Sequence, residues 1–381
     1  MRTNPAASID KHFANLEDPR IDRTKLHKLL DILVIAICAV ICGADNWEEV
    51  QLFGEAKRGW FKSFLELPHG IPSHDTFWRV FARLDPGQFR ESFVSWIASV
   101  SEVTQGQVIA IDGKTLRRSH DRALGRGAID MVSAWATANH LVLGQVKVDD
   151  KSNEITAIPE LLRVLEVSGC IITIDALGCQ KEIAKAIVER DADYVLALKE
   201  NHGRLYEDVV KLFDDLEASE FKAYPYSQDQ TVNKNHGRLE TRTCYVITDP
   251  QILPQLRDAP EWQDLRSVVK VHTKRQLVDQ VTYKDRYFIS SLASDAPHLL
   301  EIVRSHWRIE NELHWVLDIA FREDESRIRK DHGPENFAVL RHIALNLVKQ
   351  EKTQKASVKG KRLMAGWDED YLFKILSGLF H

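Results

Sequence analysis

VIAIDG (108–113) and CIITIDA (170–176) are the two stretches that carry the reading of the fold. Each is a short, unbroken apolar run that stops at an aspartate, the pattern of a strand covered on both faces. Between them, MVSAWATA (131–138) and LVLGQVKVD (141–149) read as two further strands. The two residues that join them, Asn139 and His140, are short enough for an antiparallel hairpin. AIPELLRVLEV (157–167) reads as a helix with Pro159 in its first turn, and QKEIAKAIVERD (180–191) as an amphipathic helix. YVLALK (194–199) reads as another strand, and a last helix is expected over about 297–317.

Three strands followed by alternating helices and strands predict an α/β architecture, a mixed sheet with helices packed on its faces. This is also the element order of the ribonuclease-H-like fold. Before it, residues 1–104 read as an all-helical N-terminal domain with a DNA-binding or accessory role. That domain holds a helix from Leu26 to Gly43 and a second helical stretch from Trp47 to Leu65. Ser73 is placed to cap a helix that runs to Leu84, and Pro86 to begin another. The catalytic core is expected over 105–200 and again over 297–350, interrupted by a β-rich insertion at 201–296. Within the insertion, 239–248, 265–274 and 285–292 read as strands. A basic segment that looks exposed and a short helix (368–377) close the chain over 351–381.

Composition sets bounds on this reading. The chain has 381 residues, 44% hydrophobic and 28% charged, the balance of a folded globular protein. A net charge of −5 argues against a small histone-like binder but leaves room for local basic patches. The five cysteines show no CxxC spacing, which makes a zinc ribbon a poor reading and reduced, buried thiols in a cytoplasmic protein the plain one. The N-terminus lacks the layout of a signal peptide. The longest apolar run, Leu29 to Cys42, is interrupted by Asp31 and is shorter than the roughly 20 residues a membrane helix needs. No membrane partner is expected.

The chemistry lies at the strand ends. If the first and fourth core strands are parallel neighbours, Asp112 and Asp175 face each other at their C-terminal ends, where α/β sheets place their sites. Either aspartate could instead simply begin a turn. A third acid would come from the last helix. At helical steps of three and four, Val303, Trp307, Glu310, Leu313 or His314, and Leu317 form one stripe, which would bury Glu310 against the sheet. Glu312, about 200° round the axis, would face solvent. A salt bridge from Glu310 to Arg308 is the structural alternative. Three converging carboxylates call for hard divalent cations, and two Mg²⁺ ions, with Mn²⁺ as a substitute, could activate a water or 3′-hydroxyl at a phosphodiester. There is no phosphate-cradling GxxxxGK loop and no motif for a covalent nucleophile.

Basic residues flank these acids. Lys114, Arg117, Arg118, Arg122 and Arg126 follow Asp112, and Lys199 ends the fifth strand. His236, Gly237 and Arg238 form a turn in the insertion. Arg341 to Arg362 carries seven Lys or Arg against one Glu. These are candidate DNA contacts of the phosphate-gripping kind, with a solvated loop as the alternative for each. His306, Glu310 and His314, at i, i+4 and i+8, could bind zinc. The aspartates already account for Glu310, so His306 and His314 read better as polar support or phosphate contacts.

Six segments of the chain resemble the H-repeat-associated insertion-sequence transposases: IAIDGKTLRRS (109–119), KSNEITAIPELL (151–162), TIDALGCQKEIA (173–184), DYVLALKENHGRL (193–205), HGRLETR (236–242) and HWRIENELHWVLDIAFREDESRIRK (306–330). LHKLLDILVIAICAVICGADNWEEVQLFGE (26–55) and GIPSHDTFWRVF (70–81) match the helical domain of the same family. The resemblance spans nearly the whole chain. It implies a DDE-type, ribonuclease-H-like transposase that acts on element ends and target DNA, with the acidic triad on Asp112, Asp175 and Glu310. Pairing of two ends implies a homodimer. The wider superfamily carries a Tyr-Arg-Glu-Lys signature around the last acid. Here Val303, His306 and Leu317 stand at the Tyr, Arg and Lys positions, so that phosphate grip does not carry over. A structure-selective nuclease on the same fold and an inactive DNA-binding relic are the competing functions.

Overall fold

The computed structural model describes residues 11–100, 105–120, 127–148, 154–235, 237–277 and 279–376. The chain divides into two compact units, each built from separate stretches of sequence. One comprises Met1–Glu102, Gly113–Asn153 and Glu310–His381, the other Val103–Asp112 and Glu154–Ile309.

The first unit is mainly helical. Helix α1 (Leu29–Ile41) is buried on every side from Asp31 to Ile41, as its unbroken apolar run requires. Asp31 within it is tolerated because its carboxylate accepts the Leu67 N–H, and burial raises its pKa. Helix α2 (Trp47–Ala56) is capped by Asn46, and a separate one-turn helix at Arg58–Phe61 follows, ending before the expected Leu65. Helix α3 (His74–Arg83) begins at the expected cap, where Ser73 accepts the Thr76 N–H, and α4 (Pro86–Val100) begins at Pro86. Strands β2 (Ile129–Ala136) and β3 (Leu141–Lys147) form the expected antiparallel hairpin.

Further along, helix α10 (Gly333–Gln350) packs on α1, α3, α4 and β3. Two of its buried amides bond to main chain. Asn336 donates to the carbonyls of Phe81 and Leu84, and Asn346 exchanges two 2.9 Å bonds with the Val142 backbone. Two short helices, α11 (Val358–Trp367) and α12 (Glu369–Leu376), close the chain.

The second unit carries the core strands β1 (Val108–Leu116, of which Gly113–Leu116 belongs to the first unit), β4 (Ile171–Ile174) and β5 (Asp193–Leu198). Between them lie helices α5 (Glu154–Val164) and α6 (Lys181–Val188). β1, β4 and β5 are parallel neighbours. The insertion holds four strands: β6 (Ser227–Asn235), β7 (Arg238–Ile247), β8 (Ser267–Gln276) and β9 (Val281–Ser290). β9 pairs antiparallel with β5, so the insertion continues the core sheet, and the strand order within this unit is β1-β4-β5-β9-β8-β7-β6. A helix that the sequence reading passed over, α7 (Gly203–Ala218), precedes these strands. Helix α8 (Ala296–His306) buries Leu299, Leu300 and Val303 against Val246, Val269 and Phe288.

Candidate active site

The two aspartates belong to one unit and to adjacent parallel strands. The β1–β4 ladder pairs Val108 with Ile171 through to Ile111 with Ile174, so Asp112 and Asp175 each follow the last shared rung. Neighbouring strands lie about 4.8 Å apart, and residues that follow the same rung leave it toward the same face. Both aspartates are half-buried. Asp112 does not end its strand, as the sequence reading had it, because β1 runs on through Gly113 to Leu116. Asp175 does leave the sheet there. One of its carboxylate oxygens accepts the Leu177 N–H at 3.0 Å, so it also starts a turn. That turn needs Gly178, since a Cβ there would lie 2.3 Å from Ile174 Cγ2 and 2.7 Å from Ile158 Cδ1.

A cavity of about 340 Å³ opens beside Asp175 within the same unit, and Lys199, Lys284, Arg286, His306 and Trp307 line it. Lys199 thus lines the same cavity as Asp175. His306 Nδ1 lies 3.0 Å from Thr173 Oγ1, two residues before Asp175 on the same face of β4. The Arg286 guanidinium sits 5.5 Å from the Trp307 ring centre. Lys284 and Arg286 escaped the sequence reading: Lys284 falls just before the strand expected at 285–292, and the observed strand starts earlier, at Val281.

Glu310 and His314 belong to the first unit. The expected single helix over 297–317 is instead three pieces. α8 stops at His306, residues Glu310–His314 form a π-turn, and α9 (Trp315–Ala320) follows. The wider turn breaks the count of 3.6 on which the stripe depended. Leu313, His314 and Leu317 are buried, but the Glu310 side chain is 62% exposed and the Glu312 side chain only 28%. The two glutamates thus reverse the burial expected of them. Glu312 lies 2.6 Å from His140 Nδ1, and its carbonyl accepts from Lys349. Glu310 lies 3.1 Å from His314 Nδ1. Burial holds the His314 pKa below its ordinary value, against the raising effect of Glu310. The zinc reading finds His306 beside Thr173 and His314 beside Glu310.

The other basic candidates divide. Lys114 is an internal ion-pair partner, with Nζ 2.5 Å from Asp318 and 2.8 Å from Glu323. Arg117 is exposed and reaches Asp324 at 3.2 Å, and Arg118 is exposed. Arg122, Arg126 and His236 lie outside the described residues. Arg238 opens β7 opposite Asn235. The stretch from Arg341 to Arg362 is mixed: Arg341, Lys361 and Arg362 are buried, whereas Lys352, Lys355 and Lys359 are exposed. Lys361 donates to the carbonyls of Val348 and Glu351, and Arg362 to those of Val40 and Ile41. The five cysteines are free thiols, four of them buried.

Two family models match the chain. Residues 104–347 match the model described as "Transposase DDE domain", and residues 11–97 match "DDE_Tnp_1-associated". The chain belongs to the DDE transposase family. Among relatives of this DDE transposase, "H repeat-associated putative transposase YhhI" of Escherichia coli (strain K12) is 40% identical over 374 residues, 97% of each chain. "Putative transposase YncI" of Escherichia coli O157:H7 is 41% identical over 97% of this chain and 94% of its own. "Inactive transposase YbfQ" of Escherichia coli (strain K12) is 41% identical over 73 residues, 19% of this chain and 87% of its own. The matched DDE domain contains Asp112, Asp175 and Glu310. Among the described residues of this DDE transposase, no helix is long and apolar enough to cross a membrane.

Proposed function

We propose that this chain cuts and joins DNA at the ends of an insertion sequence, and that Asp112, Asp175 and Glu310 hold the divalent cations the reaction needs. The observation that carries the reading is the placement of Asp112 and Asp175 one residue beyond the last shared rung of parallel β1 and β4, inside the matched DDE domain.

The donor chemistry fits the cation class. Carboxylate oxygens suit Mg²⁺ or Mn²⁺, and the exposed Glu310 side chain can orient without breaking a core. Two such ions, when bound, activate a water or 3′-hydroxyl and stabilise the leaving oxygen of a phosphodiester. The chain's own residues do the rest. The turn held by the Leu177 N–H fixes the direction of Asp175. Thr173 steadies His306 on the same face, and Lys199, Lys284 and Arg286 bring positive charge to the cavity where the DNA backbone approaches. Arg117, Arg118, His236 and Arg238 are the further phosphate contacts of this reading. In this reading residues 1–104 form the DNA-binding or accessory domain, 105–200 and 297–350 the core, 201–296 the insertion and 351–381 the closing segment. A homodimer pairs two element ends, and the protein works in the cytoplasm on nucleoid DNA.

The test is cleavage of a duplex that carries the element's terminal repeat. Asp112→Asn, Asp175→Asn and Glu310→Gln should each lower the Mg²⁺-dependent rate by more than about 10³-fold while duplex affinity stays near that of the parent. Undiminished cleavage in any one of the three removes that residue from the site. Equal cleavage of branched DNA without a terminal repeat, with no joining to target, would favour a structure-selective nuclease instead.

A further inference from the structure

A second polar cavity, of about 460 Å³, lies wholly within the first unit, and none of the three acids lines it. Four basic side chains from distant parts of the sequence meet there. Arg83 comes from the last turn of α3, Lys147 from the end of β3, and Arg329 and His332 from the loop before α10. Asp331 is the one carboxylate among the lining residues, so the fixed charge is positive. Arg83, Arg329 and His332 are exposed at its mouth.

The cavity is held in shape by hydrogen bonds to main-chain carbonyls. Arg329 Nε donates to the Arg118 carbonyl at 3.0 Å, which fixes the plane of a guanidinium that has two further nitrogens. The His332 N–H donates to the Ala82 carbonyl at 3.2 Å, and Asn336 clamps the carbonyls of Phe81 and Leu84 on either side of Arg83. The loop is thereby tied to the end of α3. Beside it, Lys330 Nζ lies 5.3 Å from the Trp78 ring centre, which adds another cation to the same loop.

We infer that this cavity is a phosphate site for the backbone of duplex DNA, separate from the acid residues, with Arg83 and Arg329 as its principal ligands. Positive side chains on a preformed, mainly polar concavity suit a phosphodiester, and contacts of this kind set the register of the duplex without reading its sequence. The inference rests on the proposed function and adds to it a second contact with the duplex, outside the three acids.

The experiment measures affinity of the full chain for a duplex carrying the terminal repeat, and for a scrambled duplex of the same length, over a range of salt. Removing one phosphate ligand should flatten the slope of log K against log salt by about 1. Arg83→Gln should show that decrease on both duplexes, with a several-fold weaker Kd near physiological salt. Arg83→Gln with Arg329→Gln should flatten the slope by about 2. Arg83 is a surface residue, so the single variant decides the matter should the double variant fold poorly. A parent that binds both duplexes and an Arg83→Gln variant with the same slope and affinity would overturn the inference and leave the proposed function standing. Weakening confined to the terminal-repeat duplex would also overturn it, since that is base readout. A parent that binds neither duplex would overturn the proposed function itself.

Discussion

Glu323 is buried between Lys114, at 2.8 Å, and Arg341, at 3.8 Å, and is only 4% exposed. Burial pushes its pKa upward, but Lys114, Arg341 and His342 outweigh that and hold it below the ordinary glutamate value. Replacing it with glutamine leaves two buried cations short of a counter-charge, so Glu323→Gln should cost about 3–5 kcal/mol in urea unfolding. Because the folded pKa is depressed, the Glu323 contribution is present above the ordinary carboxylate range and is lost as pH falls through it. His342 acts in the same direction at higher pH. Burial pushes its pKa down to about 4, so the folded state excludes a proton that the unfolded chain binds below about 6.5. Stability should therefore decline from about pH 6.5 towards pH 4, and His342→Asn should flatten that part of a thermal-melting profile against pH. At this scale the two aspartates were legible in sequence, because an apolar run that ends in Asp is a local signal. The internal role of Lys114 was not, since its partners Asp318 and Glu323 lie some 200 residues on and only the fold brings them close.

The π-turn at Glu310–His314 shows what a regular helical count cannot supply. Sequence spacing correctly selected Val303, Leu313 and Leu317 as buried, yet it placed Trp307 and Glu310, both exposed, among them, because the step was taken as 3.6 throughout. Deleting Asn311 should restore a regular turn and rotate Glu310 by about 100° relative to Leu313 and Leu317. That variant should keep its helix content by circular dichroism and lose Mg²⁺-dependent cleavage. Two other elements depended on partners that sequence does not display. β6 (SQDQTVNKN) has little apolar alternation and is a strand because β7 pairs along its whole length. α7 does carry a readable stripe, with Leu205, Val209, Leu212, Phe213 and Leu216 buried, but it sits in a region whose later strands coloured the whole. The closing basic segment is exposed over 352–357, as its composition suggests, but its last residues misled for a related reason. Arg362 donates to the last carbonyls of α1 and lies 3.9 Å from the Phe321 ring centre, so a residue that reads as surface charge finishes a core helix. Arg362→Ala should therefore destabilise the chain by about 2–4 kcal/mol in urea unfolding, with little change in duplex affinity for the folded protein.

On the scale of the whole chain, the element order up to β5 was readable because each strand and helix there follows its own periodicity. The continuation of the sheet through β9, β8, β7 and β6 was not, because pairing between distant strands leaves no local mark. The net charge of −5 likewise hides the distribution that matters, with cations at the cavity beside Asp175 and in the polar cavity near Arg83, and others buried within the first unit. The central claim is that three acids, far apart in sequence, ligate the same cations, and cysteine substitution measures it directly. A thiolate binds Mg²⁺ poorly and Mn²⁺ better. Asp112→Cys, Asp175→Cys and Glu310→Cys should each abolish cleavage of a terminal-repeat duplex in Mg²⁺ and recover part of it in Mn²⁺, whereas Glu312→Cys should cleave in both. Full cleavage in Mg²⁺ by any of the three, or the same metal switch in Glu312→Cys, would contradict the assignment.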